Sequence, residues 1–173
     1  MAMEEFYTFR EYMQRLDGAL TATMEDYLEM TYRLCSKNGY TRIHELSAAL
    51  NVQPPAATKM VQKLAELGLL NYEKYGVIIL SEQGDTLGKA LLARHNTVER
   101  LLRVLGVNEA DLLAETERME HALSDSTIAQ LDIFLLFWQN YPDLSWRYRA
   151  YCGLYQEPPP IGQRPDGPPA TEG

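Results

Sequence analysis

The stretch QPPAATKMVQKLAELGLLNYEKYGVIIL, residues 53–80, decides the fold. It opens on Pro54-Pro55, well placed in a first helical turn, where a missing N–H costs nothing. Met60, Val61, Leu64 and Leu67 then recur at helical spacing, and Gly68 stops the helix. From there the period changes to two. Leu70-Asn71-Tyr72-Glu73 and Val77-Ile78-Ile79-Leu80 read as strands, with Lys74-Tyr75-Gly76 as their turn. Just upstream, Leu46, Ala49 and Leu50 predict a short helix over 44–50, joined to the next by Asn51-Val52-Gln53. Helix, tight turn, helix and hairpin make a winged helix-turn-helix.

Working outward, Thr23 and Asp26 read as a capping box that opens a helix over 24–37. Its apolar stripe is Tyr27, Met30/Thr31 and Leu34, and Gly39 closes it. Residues 1–20 carry Phe6, Phe9, Met13 and Leu16 on one helical face, a short helix ended by Asp17-Gly18. On the other side Ser81 caps a long helix over 82–105, ended by Gly106. Further helices are expected over 109–121, from near Ser124 to just before Asn140-Tyr141-Pro142, and over 144–151. Residues 156–173 hold six prolines and three glycines and predict a disordered tail. The chain is thus expected to be mainly α. An N-terminal extension (1–20) precedes a winged helix-turn-helix domain (21–82), an all-helical domain (83–152) and a Pro-rich tail (153–173). There are no internal repeats.

A length of 173 residues, 46% hydrophobic and 23% charged, suits one domain or two small ones sharing a core. No apolar run approaches the ~18 residues of a membrane span, and no membrane partner is expected. The N-terminus carries acids where a signal peptide needs positive charge, so secretion is not expected. Cys35 and Cys152 make neither a disulfide framework nor a cysteine zinc site, which fits a reducing, cytoplasmic location. Net charge is −8, but residues 31–80 carry six Lys/Arg against three acids. That window is +3 and leaves −11 for the remainder. A local basic surface, not the total, is what phosphates see.

The second helix of the pair is the one that enters a major groove. Pro54, Pro55, Ala56 and Ala57 are small enough for close approach to base edges. Gln53 and Thr58 offer hydrogen bonds, and Lys59, Lys63 and Lys74 offer charge to phosphates. Lysines on a solvated face, or a winged helix built for protein contacts, remain open on this evidence.

The acidic remainder contains a second pattern. Asp26 and Glu29 share one side of a helix; Glu117, Glu120 and His121 share one side of another. His95 lies in the long helix between them. If the three helices pack together, the crowded carboxylates repel unless a cation neutralises them. Oxygen-rich ligands with imidazole suit Mn²⁺ or Fe²⁺. Exposed Glu-x-x-Glu pairs and structural histidines are commonplace, and spacing alone does not bring the helices together.

Residues 24–29 (MEDYLE), 58–64 (TKMVQKL), 71–75 (NYEKY), 94–95 (RH) and 117–121 (ERMEH) together resemble the manganese transport regulators. These belong to the diphtheria-toxin-repressor family of metal-dependent transcriptional regulators. The likeness runs over about residues 22–140, with five separated motifs in family order. It implies a winged helix-turn-helix followed by a helical dimerisation domain. Metal sits between the two, on Asp26, Glu29, His95, Glu117, Glu120 and His121. It implies two Mn²⁺ per subunit, with Fe²⁺ or other divalent cations as alternatives. Iron-responsive relatives carry methionine in place of the aspartate and cysteine in place of a glutamate, so the resemblance favours manganese. It further implies a cytoplasmic homodimer on a palindromic DNA operator, repressing manganese uptake genes, and no enzyme. Dimerisation is expected through the apolar residues Leu123, Ile128, Leu131, Leu135 and Trp138.

Three departures stand out. Some twenty residues precede the first family helix. Pro55, Ala56 and Ala57 replace more polar residues at the start of the recognition helix. The SH3-like domain of the iron-responsive branch is not expected after the Pro-rich tail. Competing classes fit less well. Di-metal bundle enzymes use Glu-x-x-His, and zincins use H-E-x-x-H; neither occurs here. An iron-responsive regulator of the same family and a winged-helix regulator blind to metal remain as alternatives.

Overall fold

A computed structural model describes residues 20–72 and 76–153. The helix expected over 1–20, Lys74 and the Pro-rich tail expected to be disordered lie outside the described residues. Seven helices and a small antiparallel sheet follow in the order α1 (Ala22–Asn38), β1 (Thr41–Arg42), α2 (Ile43–Ala49), α3 (Pro54–Glu66), β2 (Leu70–Tyr72), β3 (Val77–Leu80), α4 (Glu82–Leu105), α5 (Glu109–Glu120), α6 (Asp125–Asn140) and α7 (Pro142–Cys152).

The expected elements recur with ends shifted by one or two residues, Asn140 falling inside α6 and α7 starting at Pro142, and with two further corrections. Thr21, not Thr23, caps α1: its Oγ1 accepts a hydrogen bond from the Met24 N–H at 3.3 Å. Starting the helix at Ala22 lets Met24 enter the core with Tyr27, Leu28, Thr31 and Cys35. The buried stripe is therefore centred on Leu28, while Met30 and Leu34 are only partly buried. The second correction is β1, a strand too short to show a period. It exists because Thr41 and Arg42 pair with Ile78 and Val77, giving the sheet order β1-β3-β2. Glu45 of α2 braces this junction, accepting from Thr41 Oγ1 at 2.8 Å and from the Arg42 N–H at 3.0 Å.

Two apolar clusters organise the molecule. The larger joins α1, α2, α3 and the sheet to the start of α4, around Leu28, Leu46, Val61, Leu64, Ile78 and Leu87. The smaller lies further along α4, where Val98 and Leu102 meet Leu112 of α5, with Met119, Leu123 and Ile128 against them. Helix α4 is common to both, and α1 packs on its first half. That approach depends on small residues. A Cβ at Gly84 would stand 1.9 Å from the Leu69 carbonyl oxygen, and one at Gly88 2.7 Å from the Tyr32 Cβ. Gly84 thus admits the chain that leads into the wing, and Gly88 admits α1.

Candidate metal centre and nucleic-acid interface

Between the two clusters runs a polar seam where α1, α4 and α5 meet. Two groups of three ligating side chains lie in it. Glu29, His95 and Glu120 form one, and Asp26, Glu120 and His121 the other; within each, the donor atoms lie within 4.8 Å of one another. Glu120 belongs to both. The spacing of acids three apart in α1 sets Asp26 and Glu29 along one side of that helix, each facing a different group.

In the inner group, His95 Nδ1 is 3.0 Å from Glu120 Oε2 and 3.9 Å from Glu29 Oε1. Arg33, one turn along α1, donates through Nε to Glu29 Oε1 at 2.8 Å. Burial raises the Glu29 carboxyl above the ordinary range, against the opposing pull of Arg33 and His95. The His95 pKa is raised, chiefly by Glu120, which outweighs the effect of burial. In the outer group, His121 bridges two acids of α1: Nδ1 is 2.8 Å from Glu25 Oε2, and Nε2 is 2.9 Å from Asp26 Oδ1. Burial alone would lower the His121 pKa; Glu25, Asp26 and Glu120 together reverse this and raise it.

Four carboxylates facing two imidazoles can be neutralised by protons on the rings or by hard divalent cations. Glu120 is nearly fully buried, and His95 Nδ1 approaches its Oε2 at 3.0 Å. A carboxylate held that far from water is costly unless a counter-charge faces it. Coordination to a cation would satisfy it, and the all-oxygen-and-imidazole donor set fits Mn²⁺ or Fe²⁺. The seam thus brings together five of the six expected ligands. The sixth, Glu117, is exposed on α5 and belongs to neither group. Sequence reasoning passed over Glu25. It sits beside Asp26, and its one available signal was a third acid in the same helical turn.

The expected recognition helix leaves one face exposed. Ala57, Val61 and Leu64 of α3 are fully buried, which turns Gln53, Pro54, Pro55, Ala56, Lys59 and Lys63 outward. Gln62 is exposed with them and was missed, though helical spacing from Lys59 marks it. Thr58 is half-buried and its hydroxyl donates to the Pro54 carbonyl at 3.0 Å, so it serves the first turn of α3.

Within the single chain, the apolar residues expected for dimerisation are partly taken up by internal packing. Leu135 is buried, Leu123 and Ile128 pack on the smaller cluster, and Leu131 is half-buried. Trp138 stacks edge-on against Tyr148 of α7, ring centroids 5.3 Å apart. Exposed instead are Ile133 (60%), Leu136 (59%) and Phe137 (47%), spaced three and four apart on the opposite side of α6. The reason is that α6 is apolar nearly all round, so its sequence does not mark which side is core.

Comparison with known proteins agrees with this architecture. Residues 19–78 match the iron dependent repressor N-terminal DNA binding domain, and residues 81–145 the iron dependent repressor metal binding and dimerisation domain. The chain is 40% identical over 130 residues to the HTH-type transcriptional regulator MntR of Lysinibacillus sphaericus, covering 75% of this chain and 94% of that one. It is 38% identical over 130 residues to the regulator of the same name from Bacillus pumilus, covering 75% and 90%. Among solved structures, the manganese regulator SloR superposes with a TM-score of 0.60 at 28% identity, covering 68% of this chain and 55% of that one. A manganese-dependent transcriptional repressor solved with manganese gives 0.58 at 28% identity, covering 66% and 53%. This chain therefore spans about half the length of those two solved proteins.

Proposed function

Because the chain belongs to the iron dependent repressor family of metal-dependent, DNA-binding transcriptional regulators, we propose that it is the manganese-responsive kind, a repressor of manganese uptake genes. Its operator binding is activated by two divalent ions per subunit. The observation that carries this reading is the pair of ligand groups sharing Glu120, a carboxylate only 4% exposed. Glu29, His95 and Glu120 would hold one ion; Asp26, His121 and Glu120 the other. Glu117, one turn from Glu120 on α5, stands exposed as the additional carboxylate. Bound cations would supply charge neutralisation and a tether.

The protein's own part follows from packing. Helix α1 shares its core with recognition helix α3, so whatever holds α1 against α4 and α5 also holds α3. In a two-fold dimer formed through Ile133, Leu136 and Phe137, that fixes the separation of two recognition helices. A palindromic operator is read only at the matching separation. Metal and DNA then favour the same arrangement and each tightens the other. Within it, Gln53, Pro54, Pro55 and Ala56 face base edges and Lys59 and Lys63 face phosphates. Relatives named as manganese regulators support the choice of metal, as does a donor set without sulfur.

Operator binding measured by fluorescence anisotropy across Mn²⁺, Fe²⁺ and Zn²⁺ tests the proposal. Strong Mn²⁺-dependent binding is expected. Preference for Fe²⁺ would move the protein to the iron-responsive class, and metal-independent binding would refute the site.

A further inference from the structure

Glu25 is not among the ligand groups, yet it is nearly buried: its side chain is 13% exposed and lies against the outer one. Its Oε2 is 2.8 Å from His121 Nδ1, and Arg94 Nη1 of α4 approaches the same oxygen at 3.7 Å. Arg94 is itself only 11% exposed and donates through Nη2 to Asp125 Oδ1 in the first turn of α6, at 2.7 Å. A guanidinium that far from water needs partners, and its two acids come from α1 and α6. The chain of contacts runs Asp125, Arg94, Glu25, His121, and then to Asp26 at His121 Nε2.

We propose that Glu25 is a positioning residue for the metal centre. With Arg94 behind it, its carboxylate accepts from His121 Nδ1–H and leaves Nε2, which faces Asp26 and Glu120, as the nitrogen that would ligate a cation. The inference rests on the metal reading above and adds a residue that is not itself a ligand. Its physical basis is general. An imidazole ligand has two nitrogens, and the hydrogen bond made by one decides which tautomer and which orientation the other presents. A carboxylate in that place also makes the ligating nitrogen more basic. In a histidine side chain the two ring nitrogens are distinct, and the Glu25 contact at Nδ1 is what selects Nε2 as the ligating one.

Two measurements test this with Glu25→Ala and Glu25→Gln in the full chain. The first needs no metal: nitrogen-15 NMR of His121 in the metal-free protein, at a pH above the titration of the ring followed in the same spectra. The Nδ1–H tautomer is expected in the parent protein and in Glu25→Gln, whose amide oxygen still accepts. Loss of that preference is expected in Glu25→Ala. The second is Mn²⁺ affinity by titration calorimetry in the absence of DNA. Glu25→Ala is expected to bind about 10–100-fold more weakly, the range for outer-shell partners of metal ligands. Glu25→Gln should recover most of that loss. An Nε2–H tautomer in the parent protein, unchanged Mn²⁺ affinity in Glu25→Ala, or equal loss in both variants would overturn the proposal. The last result would make Glu25 a ligand or a plain charge. If the parent protein bound no Mn²⁺ at all, the functional reading would fail, while the tautomer measurement would still judge the pair.

Discussion

The two ligand groups of the seam share Glu120 but differ in their setting. In the inner one, the side chains of Glu29, His95 and Glu120 are 12%, 9% and 4% exposed. In the outer one, Asp26 is 44% exposed and His121 21%. The inner group is desolvated, with Arg33 already offsetting one of its carboxylates. The outer group faces water and is organised by hydrogen bonds to His121. Burial makes a charge expensive and a matched counter-charge correspondingly valuable. A cation would therefore gain more in the inner group than in the outer one.

The comparison can be broken most severely at the shared residue. Glu120→Ala removes a donor from both groups and is expected to weaken Mn²⁺ binding by more than the ~100-fold that bounds outer-shell effects. Mn²⁺-dependent operator binding should vanish while the helical circular dichroism persists. Retained activation would show that the two groups do not act as one centre.

A sharper contrast comes from matched truncations in α1. Glu29→Ala is expected to cost about 100-fold in Mn²⁺ affinity and Asp26→Ala about tenfold, because the buried donor gains more from its counter-ion. Calorimetric titration of each variant ranks them, and the reverse order would refute the role given to burial.

The histidines of the two groups add a dependence on pH. His95 and His121 must be neutral to ligate, and both pKa values are raised from 6.5 by neighbouring acids. Mn²⁺ affinity should fall as pH drops through this raised range, starting above 6.5, by about tenfold per unit for each displaced proton. The metal-free fold should behave oppositely. A histidine whose folded pKa exceeds the unfolded value stabilises fully below the unfolded pKa and loses that contribution as pH rises through the folded one. Calorimetry from pH 8.5 to 5.5, beside thermal melts of metal-free protein, checks both signs. A flat affinity would remove both histidines from the ligand set.

Much of the fold was legible because its punctuation is local. Ser81 and Ser124 cap α4 and α6 through their own hydroxyls, and Gly39 and Gly106 end α1 and α4 at φ 80° and 87°. Thr21 was not separable from Thr23, since either hydroxyl can cap a following turn; the need to bury Met24 decided it. The site was half legible. Spacing placed the acids of α1 on one side and those of α5 on another, and five separated motifs tied them to a metal-responsive family. Nothing in the spacing separated Glu117, which stands exposed, from Glu120, which is buried three residues later.

By itself the sequence determined the order of helices and hairpin, the face of α3 that is free for a ligand, and the kinds of donor atom available. These depend on periodicity and on side chains acting on their own backbone. Only the tertiary structure decided that Glu120 serves both groups, that Glu25 and Arg94 stand behind His121, and which side of α6 is left bare. Those outcomes depend on how deeply a group is buried and on what meets it from another helix, and no local pattern encodes either.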